Sequence, residues 1–227
     1  MKFEAYYPII PHRLNQKWGT YDPKDYSQFG FTRHNGIDVA IGQDSLVRAP
    51  FNGTAYQLGN QPNGGGIYLG FLSDDEFQFD AFTCMTPEGV AIEFPAMTAR
   101  VLFDFLHLKS ISATAGMQYK TGDVLAVQDN TGFSTGPHTH IQPRRVSYDG
   151  KSIAFLDTND AHGSFDPTQF FNGFYAIQFP ALYSIVKESA NITAAVVASP
   201  APVEQKISLL QSLLNALLSL FKGRSTT

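Results

Sequence analysis

The sequence predicts a mainly β protein: a compact antiparallel β-sheet or sandwich domain over residues 1–192, followed by a C-terminal α-helical appendage. Three observations predict it. Apolar runs are short and bounded by turn residues, in a chain of 227 residues with 19 glycines and 13 prolines. Hydrophobic residues make up 43% and aromatic residues 13%, enough to fill one sizeable core. Only towards the C-terminus does the hydrophobic pattern change to a helical period.

In chain order, Met1-Lys-Phe-Glu-Ala-Tyr-Tyr-Pro8 lacks a charged start followed by a long apolar core, and so does not read as a secretory signal peptide. No stretch reads as a membrane-spanning helix. Asn35-Gly36 is turn chemistry, so His34 to Gly36 reads as a loop leading into a strand, Ile37 to Ile41. Val101-Leu-Phe-Asp-Phe-Leu-His-Leu108 is apolar and aromatic and reads as a strand. Thr139 and Ile141 give the run around His140 the same character. The aromatic-rich segment Phe165 to Ile192 is expected to pack on the core.

Residues 193–206, centred on Ala194-Ala-Val-Val-Ala-Ser-Pro-Ala-Pro-Val203, read as a linker of small residues and proline. Residues 207–222 read as a leucine-rich helix. Ser208, Gln211, Ser212, Asn215 and Ser219 recur every three or four positions and form one narrow polar stripe. Lys222 suits the last turn and Gly223 the stop. A helix this apolar needs a partner: its own domain, a second copy, a larger particle or a membrane interface.

Composition excludes some classes. A formal charge of -4 gives no general affinity for nucleic acid. Cys84 is single, so no intrachain disulfide forms, and a buried thiol is expected. Asp74-Asp75-Glu76 reads as a solvated turn. His12 reads as an ordinary surface or hydrogen-bonded residue and His162 as a loop residue in Asn159-Asp-Ala-His-Gly163, with a place in the groove as the lesser alternative for either. Asn191-Ile-Thr193 matches a glycosylation acceptor but has no export context.

The chemistry gathers in three stretches: His34-Asn-Gly-Ile-Asp38, Phe105-Leu-His107-Leu108 and Gly136-Pro-His138-Thr-His140. Together they hold four of the six histidines and one carboxylate. A zinc that does chemistry has three protein ligands and keeps one position open for water. Five candidates are two more than the metal needs, and the surplus would carry protons. On a strand, positions i and i+2 share a face, so His138 and His140 would project side by side. Each motif alone is weak; their joint occurrence is the signal.

In their order along the chain these residues resemble the lysostaphin/LytM-type zinc metallopeptidases that cut peptidoglycan cross-links. The resemblance runs over most of Trp18 to His140. Gln16-Lys-Trp-Gly19 and Tyr26-Ser-Gln-Phe-Gly30 resemble the family's opening segment, and His34-Asn-Gly-Ile-Asp-Val-Ala40 its first metal motif. Val47-Arg-Ala-Pro-Phe-Asn-Gly-Thr54 resembles the strand and turn that follow, and Phe105-Leu-His-Leu108 the later aromatic-x-His-Leu segment. Gly116 to Val124 and Asn130 to His140 resemble the final glycine-rich run, and Asp166-Pro167 a closing segment. The resemblance implies one Zn2+ held by His34, Asp38 and His140, with His107 and His138 assisting catalysis.

Departures are also visible. Thr139 stands where an apolar residue is usual, Gln142 where an acid is frequent, and Phe71 to Val101 replaces a short hairpin. The resemblance makes a peptidoglycan peptide the expected partner. Without an export signal, a phage-associated enzyme is expected, made in the cytoplasm and acting on the wall. The alternatives are a virion or tail assembly component carrying this domain, and an inactive wall-binding module.

Overall fold

The computed structural model describes residues 1–9, 13–40 and 44–173. The strands in chain order are β1 (Arg13–Gln16), β2 (Ile37–Ala40), β3 (Leu46–Arg48), β4 (Gly53–Gln61), β5 (Gly66–Ser73), β6 (Phe77–Phe79) and β7 (Phe82–Met85). They continue as β8 (Ala91–Phe94), β9 (Met97–Ile111), β10 (Gln118–Tyr119), β11 (Val124–Gln128), β12 (Thr139–Tyr148) and β13 (Ile153–Phe155). A four-residue helix α1 (Pro23–Tyr26) runs into a 3-10 turn, Ser27–Phe29. Asp22 caps α1 by accepting from the Asp25 N–H, with proline at the first helical position.

Among the described residues the strands form one 11-stranded antiparallel sheet and a separate hairpin, β7–β8. The main path runs β1-β2-β12-β9-β5-β4-β10. The mainly β, antiparallel expectation holds. The strand expected at Ile37 is observed to Ala40, and residue 41 is outside the described residues, as are His12, the linker, the leucine-rich helix and Asn191. The strand expected over 101–108 is longer, because β9 pairs in turn with β6, β12, β5 and β11 along its 15 residues.

The core explains the high aromatic content. Phe3 packs edge-on or tilted against Phe51, Phe77, Phe79, Phe103, Phe165 and Phe170, at ring distances of 5.1–6.4 Å. Phe165, Phe170 and Phe171 join this core, as expected for the start of the segment to Ile192, whose remainder from residue 174 lies outside the described residues. Asp166 caps the 3-10 turn Pro167–Phe170 through the Thr168 N–H. Cys84 is fully buried, and burial pushes its thiol up to about 11. Asp74 receives the Thr54 hydroxyl, and Asp75 and Glu76 are exposed, as a solvated turn requires.

The segment that departs from the resembled pattern is anchored by one cation. Arg145 is fully buried. It donates to Asp157 through Nε and Nη2 (2.8 and 2.5 Å) and to the Pro95 carbonyl through Nη1 (2.7 Å). Its guanidinium also lies 5.3–5.4 Å from the rings of Phe79, Phe82 and Phe94. Replacing Asp157 by alanine would strand that charge in the core. Urea denaturation is expected to show a loss of about 3–5 kcal/mol, and a loss under ~1 kcal/mol would contradict this account.

Candidate metal centre

Strand register brings the first two residues of the site together. In β12, His140 lies opposite Asp38 of β2 on one side and Leu106 of β9 on the other. His34 sits in the turn before β2, and Asn35-Gly36 folds it back over the same spot. An added Cβ at Gly36 would lie 2.4 Å from the Ile141 carbonyl oxygen and 2.7 Å from His140 Nε2. Only glycine lets the turn approach β12 this closely. Gly36→Ala is therefore expected to lower zinc affinity about 10–100-fold in a competition titration. Unchanged affinity would show that the turn does not seat His140.

The three side chains form a triangle. His34 Nε2, Asp38 Oδ1 and His140 Nδ1 are separated by 3.0, 3.0 and 3.2 Å. They form the one group of metal-capable side chains found among the described residues. A tetrahedral ion with bonds of about 2.0–2.1 Å has face edges of roughly 3.3–3.4 Å. Hydrogen bonding alone serves this triangle poorly. His34 Nδ1 donates to the Lys17 carbonyl (3.0 Å), which leaves Nε2 as a lone pair 3.2 Å from a carboxylate oxygen, and a single N–H on His140 Nδ1 would have to serve both acceptors. A cation between them resolves the conflict, so the residues present fit a metal. The Lys17 carbonyl is the outer partner that fixes the His34 tautomer.

The electrostatics agree. Burial alone would raise the Asp38 carboxyl, but the neighbouring His34 and His140 imidazoles hold it well below the ordinary carboxylate range. Burial pulls the His140 imidazole down to about 4, against an opposing hydrogen bond to Asp38. The site therefore presents a carboxylate and a neutral imidazole near neutral pH, the protonation states that metal ligands need.

His107 and His138 flank the triangle with their rings 4.8 Å apart. His138 is not on the strand as expected. It precedes β12 in an isolated bridge with Asp129, and its Nε2 lies 3.5 Å from Asp38 Oδ1. His107 reaches the site by a different device. Simple alternation would place it on the core face with Phe103 and Phe105. The β5–β9 register shifts here, and His107 adopts φ 63°. This bulge sends Phe105 and Leu108 to the core and aims His107 into the groove. Left-handed backbone at a non-glycine residue stores strain, which the Gly65 and Thr131 carbonyls hold through the His107 N–H and Nδ1 (both 2.8 Å). Burial keeps the His107 imidazole below its usual value.

The loop that supplies Thr131 depends on glycine. Gly132 has φ 76°, and a Cβ there would fall 2.2 Å from the Gly66 nitrogen. Thr139, where an apolar residue was expected, is buried and donates its hydroxyl to the Gln128 side chain (3.3 Å). The five residues line a groove of about 410 Å³. Its near wall is aromatic: Tyr26 stacks on His34 (5.7 Å) and on Phe31 (5.6 Å), and Phe29 meets Phe133 (5.6 Å). Sequence reasoning placed Tyr26 and Phe29 only in an opening segment. It passed over Asp104 and Arg144, which also line the groove, and gave His162, which lies there too, a place in the groove only as the lesser alternative. A period-two count from His140 along β12 would have found Arg144.

No family model matches the chain. Among curated proteins it is 28% identical over 135 residues to a metalloprotease of Haemophilus influenzae described as uncharacterized, a match covering 60% of this chain and 21% of that protein. It is 24% identical over 165 residues to the glycyl-glycine endopeptidase ALE-1 of Staphylococcus capitis, covering 71% of this chain and 39% of that one. Lysostaphin of Staphylococcus staphylolyticus is 25% identical over 167 residues, covering 70% and 29%. The matched part thus spans between about a fifth and two fifths of the length of these relatives. Among solved structures, the lysostaphin of Staphylococcus simulans superposes with a TM-score of 0.48 at 20% identity, covering 74% of this chain and 53% of that chain.

Proposed function

We infer that the chain belongs with the lysostaphin/LytM-type metallopeptidases, and we propose that it is a zinc-dependent endopeptidase that hydrolyses peptide cross-links of bacterial peptidoglycan. The observation that carries this reading is the His34–Asp38–His140 triangle with His107 and His138 beside it in one groove. The relatives named as an endopeptidase and a metalloprotease support the reaction class, and lysostaphin supports the wall substrate.

In this proposal His34, Asp38 and His140 hold one zinc. When bound, zinc polarises the scissile carbonyl and acidifies a water. The remaining work belongs to the chain. His138 donates Nδ1–H to the Gly136 carbonyl (2.8 Å), and His107 donates Nδ1–H to the Thr131 carbonyl (2.8 Å). Each ring therefore keeps Nε2 for proton transfer. A neutral ring takes the proton of the attacking water, and a protonated ring steadies the oxyanion and delivers a proton to the leaving amine. Tyr26 stays a phenol, since burial first and Asp38 second push its ionisation up. It stacks on His34 and fixes that ring's plane.

A phage-borne setting remains part of this proposal, as one route by which such an enzyme meets the wall. The test is digestion of purified peptidoglycan with zinc, with a chelator, and with zinc restored, reading new amino termini by mass. Zinc-dependent release supports the proposal. No release from several wall chemotypes at stoichiometric zinc would overturn it.

A further inference from the structure

The groove floor does not end at the metal triangle. β12 alternates, so His140, Gln142 and Arg144 all face the groove while Ile141 and Arg145 face the core. Asp104 of β9 lies directly opposite Gln142. Arg144 pairs with Asp104 through Nη2, and its guanidinium lies 4.0 Å from the Phe155 ring. Arg144 is the one lysine or arginine among the described residues that line the groove.

Two donors here are not served. Gln142 is 5% exposed and Arg144 8%, yet Gln142 Nε2 and Arg144 Nε have no hydrogen-bond partner among the described residues. Buried polar nitrogens without partners are costly and uncommon. Gln142 stands where the resembled pattern often has an acid. An acid would add a second negative charge opposite Asp104, whereas the amide leaves the Arg144 charge less compensated.

The fourth wall of this pocket is His162. Its backbone is left-handed, with φ 58°. Asn159 holds the turn by accepting from the N–H groups of Ala161 and Gly163 (2.9 and 3.0 Å) and donating to the Ser164 carbonyl (3.0 Å). The ring stacks on Phe31 at 5.5 Å and 14° and lines the groove. Among the described residues no hydrogen bond to its ring nitrogens is recorded. Burial and the nearby Arg144 keep the ring neutral, with one N–H to offer.

We propose that Gln142, Arg144 and His162 form a substrate subsite that takes a carboxylate of the peptide next to the scissile bond. The inference rests on the reading of this groove as a peptidase site. A carboxylate suits the one cation that lines this groove and the neutral His162 ring beside it: the guanidinium has five N–H donors, Asp104 occupies only part of that fork, and the Gln142 amide adds no competing negative charge. A neutral carboxamide would offer one acceptor oxygen and turn an amide NH2, itself a donor, towards the guanidinium.

The test uses soluble cross-linked muropeptides with their carboxylates free or converted to carboxamides. kcat/KM is measured for both forms with the zinc-loaded full chain. The free form is expected to be preferred by about tenfold or more. Gln142→Glu is expected to remove or invert that preference, and His162→Ala to reduce it, while zinc stoichiometry and circular dichroism stay unchanged. The same pair is also titrated calorimetrically into zinc-loaded His138→Ala protein, which reads discrimination in binding while turnover is slowed. Equal use of both forms by the wild type, or a preference untouched by Gln142→Glu and His162→Ala, overturns the subsite and leaves the peptidase standing. Absence of cleavage with a binding preference retained overturns the peptidase instead. Absence of both cleavage and preference overturns both.

Discussion

Replacing His140 by alanine is expected to reduce bound zinc from one ion per chain to near zero and to abolish hydrolysis. The size of the effect follows from the geometry. Asp38 Oδ1 lies 3.0 Å from His140 Nδ1 and 3.2 Å from His34 Nε2, so removing His140 takes one corner from a three-cornered site. The two remaining ligands share one turn and strand, four residues apart, and lose the only corner supplied by β12. Zinc sites that do chemistry need all three protein ligands. The measurement is metal content after dialysis against zinc, followed by turnover. An alanine variant that still carries one zinc per chain would show that the triangle is not the metal site. Folding must be checked beside it, and the buried surroundings favour survival: the substitution removes a ring whose Nε2 has no hydrogen-bond partner among the described residues.

Much of this site was legible before any fold was known, because its chemistry lies in short motifs with turn residues beside them. The His34-to-Asp38 spacing placed both residues together whether on a helix or on a turn and strand. Asn35-Gly36 chose the turn, and the close approach of Gly36 to Ile141 and His140 shows why. The strand character of residues 101–108 was equally plain from Phe103, Phe105 and Leu108, all fully buried. What failed to show was any feature set by pairing across the sheet. The motif placed His107 at the site although strict period-two alternation would put it with Phe105 on the core face, and the bulge that resolves this has no signal in the sequence, since φ 63° at a histidine is held by hydrogen bonds that His107 donates to the Gly65 and Thr131 carbonyls. The same reasoning put His138 on a strand with His140. The strand begins one residue later, and His138 is steered instead by Asp129 and the Gly136 carbonyl.

The second floor of the groove was hidden for a related reason. Asp104 is a charged residue in an apolar run, and only its register opposite Gln142 and its pairing with Arg144 explain it. Buried at the centre of the sheet, its carboxyl is raised by desolvation even beside a guanidinium. Arg145, one residue along, points the opposite way and holds Asp157 and the hairpin aromatics. Two adjacent arginines thus serve the groove and the core, a division that alternation predicts once one of them is placed.

His138→Ala is expected to leave one zinc per chain in place and to lower kcat about 10²–10⁴-fold, with a smaller change in KM. The reasoning separates metal binding from proton transfer. His138 Nε2 stands 3.5 Å from Asp38 Oδ1, but the group whose ligand atoms all lie within 4.8 Å of one another is His34, Asp38 and His140, so His138 sits beside the triangle and within reach of a water held there. Its Nδ1–H is committed to the Gly136 carbonyl, which fixes the ring with Nε2 inward. His107, 4.8 Å away, is fixed in the same sense by Thr131. If the two act as a pair, one as acceptor and one as donor, their losses will not add. The double variant His107→Ala/His138→Ala should fall little below the worse single variant, because a proton relay lacking one member gains nothing from the other. Fully additive losses would mean that the two histidines act on separate steps. Loss of zinc in either single variant would move that histidine from proton transfer into the ligand set.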